Sequence, residues 1–215
     1  MAPAKTKPSA RTYTISLTNR KPRGSGHERL AEILVAAKEL FLEQGVENVT
    51  TRKIAERVGI SQTALFTYYS SKDKILARLI QDAFAELGRM VAGLGAEAAD
   101  TRDWFRRCVA GYVRFGLKYP NEYRLAFMVM RPWQGAIGFP LFLELEKRVA
   151  EAMEEGVLRR DLGSPRLVAQ TLWASMHGLT SLLIARPRPR FPWEDVEDLV
   201  RTQTEMLLTG LLAER

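Results

Sequence analysis

The chain has 215 residues, 46% of them hydrophobic and 27% charged, and carries a net charge of +7. That apolar content supports a real core and excludes a globally disordered chain, while the length permits a small domain joined to a larger one. A single cysteine, Cys108, rules out an intrachain disulfide or a thiol-based metal cluster, and no unbroken run of about 18 apolar residues argues for a membrane span.

The charge is unevenly spread. Residues 1–75 hold 13 Lys and Arg against 7 Asp and Glu, whereas residues 76–215 hold 19 against 18. Such a distribution suits a phosphate-facing end on a neutral body, although basic tails also occur on proteins that never meet nucleic acid. Residues 1–25 contribute six of the basic groups and no acidic one, show no sustained period, and lack the apolar stretch of a secretory signal. They read as a flexible basic arm, which could lie along phosphates or remain a solvated tail. A cytoplasmic location is expected.

In chain order, Leu30, Ile33, Leu34, Ala37, Leu40 and Phe41 form one apolar stripe of a first helix, closed by Gly45. Thr51 can cap a short helix over 52–58, with Ile54, Ala55 and Val58 inward. Gly59 permits a sharp turn, and Ser61 can cap a second short helix reaching Tyr69. Ser71 caps a longer helix from Lys72 to about Leu94, followed by an expected connection over 93–101. Helical patterns recur over 104–118, 121–130, 137–155, 165–185 and 193–213, with breakers at Pro120, Pro132, Gly138-Phe139-Pro140, Gly163 to Pro165 and 186–192. Nowhere does two-residue alternation persist. The expected fold is all-α with about nine helices: an arm over 1–25, a three-helix domain over 26–75 and a larger helical domain over 76–215.

Two short helices around a glycine turn match a helix-turn-helix, and the outer face of the second offers Gln62, Thr63, Phe66, Thr67 and Tyr68. These groups suit base edges, thymine methyls and phosphates in a major groove. The segment from Thr50 to Leu76 resembles the DNA-binding domain of the TetR family of regulators. Phe41 and Gly45, Thr50-Thr51, Ala55, Val58-Gly59, the run Leu65-Phe66-Thr67-Tyr68-Tyr69 and Lys72-Asp73-Lys74-Ile75-Leu76 fall in the family's order. Two departures are Tyr69, where the family often has Phe, and Phe66, where Tyr is frequent. The resemblance implies phosphate or backbone contacts from Thr51, Arg52, Tyr68 and Lys72, with Arg52 alternatively reaching a base, and base contacts from Gln62, Thr63, Phe66 and Thr67. Thr51 could instead serve only as a cap. Lys72 is expected to meet a phosphate, because free amides at a helix N-terminus also attract anions.

The remaining two thirds hold no catalytic constellation: two histidines without carboxylates at ligand spacing, no phosphate loop, and a cysteine with no histidine nearby. No enzyme activity, cofactor or metal is expected. The segment Leu172-Trp173-Ala174-Ser175-Met176-His177-Gly178-Leu179, with Tyr119-Pro120-Asn121-Glu122-Tyr123-Arg124-Leu125 upstream, resembles the Trp-His-Gly C-terminal subclass of the same family. Members of the family pair subunits through this region and often bind a small molecule there. Apolar faces on the last two helices (Leu167, Val168, Thr171, Leu172, Ser175, Leu179 and Leu182; Val196, Leu199, Val200, Gln203, Met206, Leu207 and Leu211) would form a four-helix interface in a homodimer. Trp104, Phe105, Cys108, Tyr112, Phe115, Phe127, Met128, Trp133, Phe142, Trp173, Met176 and His177 could line an effector pocket, or make up plain core. The expectation is a sequence-specific regulator, a repressor released from a near-palindromic duplex operator by an apolar or aromatic ligand.

Overall fold

A computed structural model describes residues 26–129, 135–186 and 191–213. The basic arm, Trp133, Pro132 and most of the proline-arginine segment lie outside the described residues. Nine α-helices occur among those described: α1 (Gly26–Gln44), α2 (Thr51–Val58), α3 (Gln62–Phe66), α4 (Lys72–Ala96), α5 (Thr101–Lys118), α6 (Pro120–Tyr123), α7 (Gly135–Glu154), α8 (Pro165–Ala185) and α9 (Val196–Leu211). The described residues contain no strand, only one antiparallel bridge between Leu158 and Leu212. The chain divides into two compact units between Lys74 and Ile75.

In the first unit α1 packs on α2 and α2 on α3. The apolar stripe of α1 buries Ile33, Ala37, Leu40 and Phe41, and Ile54, Ala55 and Leu65 are buried on the two shorter helices. Helices this short are marginal alone, so burial and caps hold them. The cap of α2 is Thr50, whose side chain accepts from the Lys53 amide, and Thr51 is already the first helical residue. Ser61 caps α3 through the Ala64 amide. Gly59, at φ 76°, supplies the left-handed residue that turns one helix into the next. Arg57 of α2 pairs with Glu39 and Glu43 of α1.

In the second unit α8 packs on α5 and α7, and α9 packs on α5. One core gathers Phe105, Val109, Phe115, Tyr123, Val149, Val168, Leu172 and Leu208. By length and apolar composition alone α8 could cross a membrane, yet it buries Val168, Ala169, Leu172, Met176, Thr180, Leu183 and Ile184 within its own unit. Gly116 of α5 makes that contact close: a Cβ there would collide with Thr180 and press on the Tyr123 ring.

Four elements depart from their sequence patterns. Gly93 and Gly95 stay inside α4, which runs to Ala96, and a Cβ at Gly95 would lie 2.7 Å from the Trp104 indole nitrogen. Packing thus overrides weak glycine propensity there. The segment expected as one helix over 121–130 is α6 followed by a π-helical turn, Arg124–Met128. Helix α7 runs straight through Gly138-Phe139-Pro140; Pro140 falls in its second turn, where the missing amide removes only one early hydrogen bond. Helix α9 starts three residues later than expected, where Asp195 accepts from the Glu197 and Asp198 amides.

Candidate functional site

Helix α3 turns Leu65 inward, fully buried, and leaves Gln62, Thr63, Phe66, Thr67 and Tyr68 exposed. The helix proper ends at Phe66 rather than near Tyr69. Thr67 forms its C-cap and returns a hydroxyl hydrogen bond to the Ala64 carbonyl, so Thr67 and Tyr68 belong to the turn that follows. An exposed Phe66 has no stabilising reason to face water, because apolar side chains gain only by leaving it.

Several polar groups on this face are already held in place. The Gln62 amide donates to the Thr51 hydroxyl at 2.9 Å, joining α3 to the first turn of α2. Thr51 therefore spends its hydroxyl on positioning Gln62, and capping falls to its neighbour. Arg52 pairs with Glu56 along the exposed side of α2 at 2.9 Å, a contact too solvated to fix it. The Lys72 ammonium donates to the Val46 carbonyl at 2.7 Å. It ties the start of α4 to the loop after α1 and keeps two further N–H donors.

The second unit holds a half-open cavity of about 490 Å³. Of the residues expected there, Trp104, Cys108, Tyr112, Phe127, Phe142, Trp173, Met176 and His177 line it. Phe105 and Phe115 do not: both are about 1% exposed and sit in the solid core, although they share a face of α5 with Cys108 and Tyr112. Met128 does not either; at the end of the π-helical turn it is 42% exposed. The turn instead brings Ala126 and Phe127 to the wall. Sequence reasoning missed Phe84, Leu87 and Val91 of α4, Gly138, Phe139, Leu141, Glu144 and Leu145 of α7, and Gln170 of α8. Only the spacing of the α4 and α7 apolar stripes hinted at them, since such stripes look alike whether they face a void or a core. Gly138 is small for a reason, because a Cβ there would lie 2.5 Å from the Phe84 ring.

Rings dominate the wall. Phe84 and Phe127 meet edge to face at 5.0 Å, and Trp173 stands 6.2 Å from both Phe142 and His177. Behind them runs a polar chain. The Trp173 indole donates to the Tyr112 hydroxyl at 3.2 Å, Tyr112 and Tyr123 hydroxyls lie 3.3 Å apart, and Tyr123 lies 2.5 Å from Nδ1 of His177. Burial pushes the Tyr112 hydroxyl and the Cys108 thiol each up to about 12 and holds the His177 imidazole below its ordinary value. All these groups are therefore uncharged near neutral pH.

Part of the expected pairing face is consumed within the chain, since Val168, Leu172, Val200 and Leu211 are buried against neighbouring helices. A narrower stripe remains outward on α8: Leu167, Thr171, Ala174 and Leu182, with open space around Gly178, joined by Met206 of α9 at 71% exposure.

Comparisons with known proteins match two stretches of the chain. Residues 33–79 match the family model described as bacterial regulatory proteins, tetR family, and residues 105–207 match a tetracyclin repressor-like C-terminal domain. The latter is a different C-terminal family from the Trp-His-Gly subclass that the sequence resembles. The nucleoid occlusion factor SlmA of Pasteurella multocida is 43% identical over 141 residues, covering 63% of this chain and 71% of that protein. The transcriptional activator FasR of Mycolicibacterium smegmatis is 30% identical over 109 residues, 51% of this chain; the chain spans about half (48%) of that relative's length. The structure of the fatty acid degradation regulator FadR from Bacillus halodurans superposes with a TM-score of 0.72 at 18% identity, covering 88% of this chain and 98% of that one, a likeness of fold.

Proposed function

Because the chain belongs to the TetR family of bacterial regulatory proteins, we propose that it is a sequence-specific transcriptional regulator, a repressor that leaves its operator when a small apolar or aromatic effector binds. The observation that carries the reading is the outer face of α3, where Gln62, Thr63, Phe66 and Thr67 stand exposed around a buried Leu65. A short helix presenting mixed polar and aromatic groups is what base edges and thymine methyls require. Gln62 and Thr63 at its first turn read bases, and Phe66 and Thr67 take the methyl and the edge beyond. Thr51 orients Gln62 through their hydrogen bond and reaches the backbone; Arg52, Tyr68 and Lys72 hold phosphates. The positive arm adds sequence-independent attraction.

Two chains pair through the outward stripe of α8 and Met206 of α9, forming a four-helix contact. A two-fold pair carries two copies of α3, which calls for a near-palindromic duplex site with half-sites set by the DNA repeat. The cavity is the effector site. Its influence travels through α4, whose residues Phe84, Leu87 and Val91 line it and whose first residue is Lys72. Work on DNA places the protein in the cytoplasm.

Selection of bound fragments from genomic DNA tests the whole reading. The intact chain should enrich a single near-palindromic site, whereas Gln62→Ala should lose about 1–3 kcal/mol of discrimination at one base position in each half-site. An unchanged preferred site and specificity ratio in Gln62→Ala would sink the base-reading role. Lys72→Ala should instead weaken all sequences alike and flatten the salt dependence.

A further inference from the structure

The cavity can be audited for what it refuses as well as what it holds. Among the described residues its wall contains no lysine or arginine. The one carboxylate, Glu144, has a half-exposed side chain lying 3.5 Å from the Arg148 guanidinium, so it is already answered at the rim. An anionic ligand would give up its hydration for rings and aliphatic carbons and meet no unpaired countercharge among the described residues, because the Arg148 guanidinium beside Trp104 is shared between Glu144 and Glu151; a cationic one would find its only acid spent and wet.

The hydrogen bonds behind the rings are directional. An indole N–H can only donate, so the Tyr112 oxygen accepts from Trp173. The Tyr112 proton then goes to Tyr123, and the Tyr123 proton goes to Nδ1 of His177. The reverse order would leave the Tyr112 proton, which is buried, with no acceptor among these groups. His177 is thus the tautomer with its proton on Nε2, and the described residues give that nitrogen no hydrogen-bond partner. Beside the rings, His177 thus offers a donor next to a chain of mutually satisfied hydroxyls, with the exposed Gln170 amide another uncharged donor of the described wall, and this sets a requirement on what fills the space.

Resting on the reading of this cavity as the effector site, we propose that the effector is an uncharged, ring-containing molecule with one hydrogen-bond acceptor, a carbonyl or ether oxygen, that docks on Nε2–H of His177. The carboxylate form of the same skeleton is rejected. A volume of about 490 Å³ suits a molecule of drug size.

Four naphthalene probes of similar size separate the parts of this proposal: the ketone acetylnaphthalene, the hydrocarbon ethylnaphthalene, the anion naphthoate and the cation naphthylmethylammonium. Binding to the full chain is read from quenching of its tryptophan fluorescence, since Trp104 and Trp173 line the cavity. Ketone and hydrocarbon should both bind, with either ion at least about a hundredfold weaker than the ketone. In His177→Phe the ratio of ketone to hydrocarbon affinity should fall by about tenfold while the hydrocarbon itself is little changed. Tyr123→Phe, which keeps the histidine but removes the proton that selects its tautomer, should lower the same ratio by less. Either ion binding as tightly as the ketone overturns the uncharged class. A ratio unmoved in both variants overturns docking on His177. Failure of the hydrocarbon to bind the unaltered chain overturns the effector-site reading beneath, and with it the proposal. The charge comparison needs no variant, so it stands even if a substituted chain does not fold.

Discussion

The two units place their chemistry on opposite sides of their surfaces. In residues 26–74 the polar groups that matter point outward from a small core, and the elements presenting them lie within 22 residues, from Thr51 to Lys72. In residues 75–213 the chemistry faces inward, around a void whose wall draws on α4, α5, the turn after α6, α7 and α8. An outward face needs only a rigid base beneath it. An inward one needs every surrounding helix at the right distance, because a displacement of a single methyl changes the space. The first unit should therefore tolerate change wherever its core and caps survive, and the second should be sensitive even at positions remote from any ligand.

Leu65→Ala should be the largest blow to that comparison. It removes a fully buried side chain from the helix that carries the base-reading groups, at about 2–5 kcal/mol. DNA binding measured by fluorescence anisotropy should be lost, while quenching by ethylnaphthalene persists. Loss of both would show that the units do not keep their functions separately. Gly116→Ala is the counterpart in the second unit. Its added methyl has no room beside Thr180 and Tyr123, and overpacking of this kind costs about 1–3 kcal/mol. A lower melting temperature together with weaker probe binding is expected; an unaltered melting temperature would mean that α5 and α8 can separate freely.

A paired substitution sharpens the assignment of the α2 cap. Thr50→Ala should cost about 1 kcal/mol in chemical denaturation, since its side chain caps the helix. Thr51→Ala should cost less stability but more sequence discrimination, since its hydroxyl holds Gln62. Equal stability losses would contradict this division. The smallest effect is a pH dependence. Burial holds the folded His177 imidazole below its ordinary 6.5, so between the folded value and 6.5 the unfolded chain binds a proton that the folded chain refuses. Stability is then complete above about pH 6.5 and declines as the pH falls through that window. Melting temperatures followed from roughly pH 8 to roughly pH 5 should drop more steeply for the unaltered chain than for His177→Phe; identical slopes would remove the histidine from the account.

The local signals explain why one unit was legible and the other only partly so. Ser61, Gly59 and Gly45 act through neighbours a few residues away, so their roles can be read from spacing. The identity of the α2 cap could not be, because Thr50 and Thr51 are equally able to accept from an amide two or three residues on. Nor could the bond between Lys72 and Val46, which spans 26 positions. In the second unit, the aromatic content of α5 and α8 announced a core or a pocket without saying which. Phe105 and Cys108 are three residues apart on one helix, yet one fills the core and the other borders the void. That difference depends on which partner helix each meets.

By itself the sequence determined an all-helical chain, the order of its helices and the exposed set on α3, because helical period, caps and turn glycines are short-range physics. Tertiary structure alone decided where empty space remains, which apolar faces are spent inside the chain, and that His177 stands at the end of the Trp173–Tyr112–Tyr123 hydrogen-bond chain. Those outcomes depend on packing and hydrogen-bond direction between residues as far apart as Tyr112 and Trp173, and no pattern along the chain encodes the distance between them.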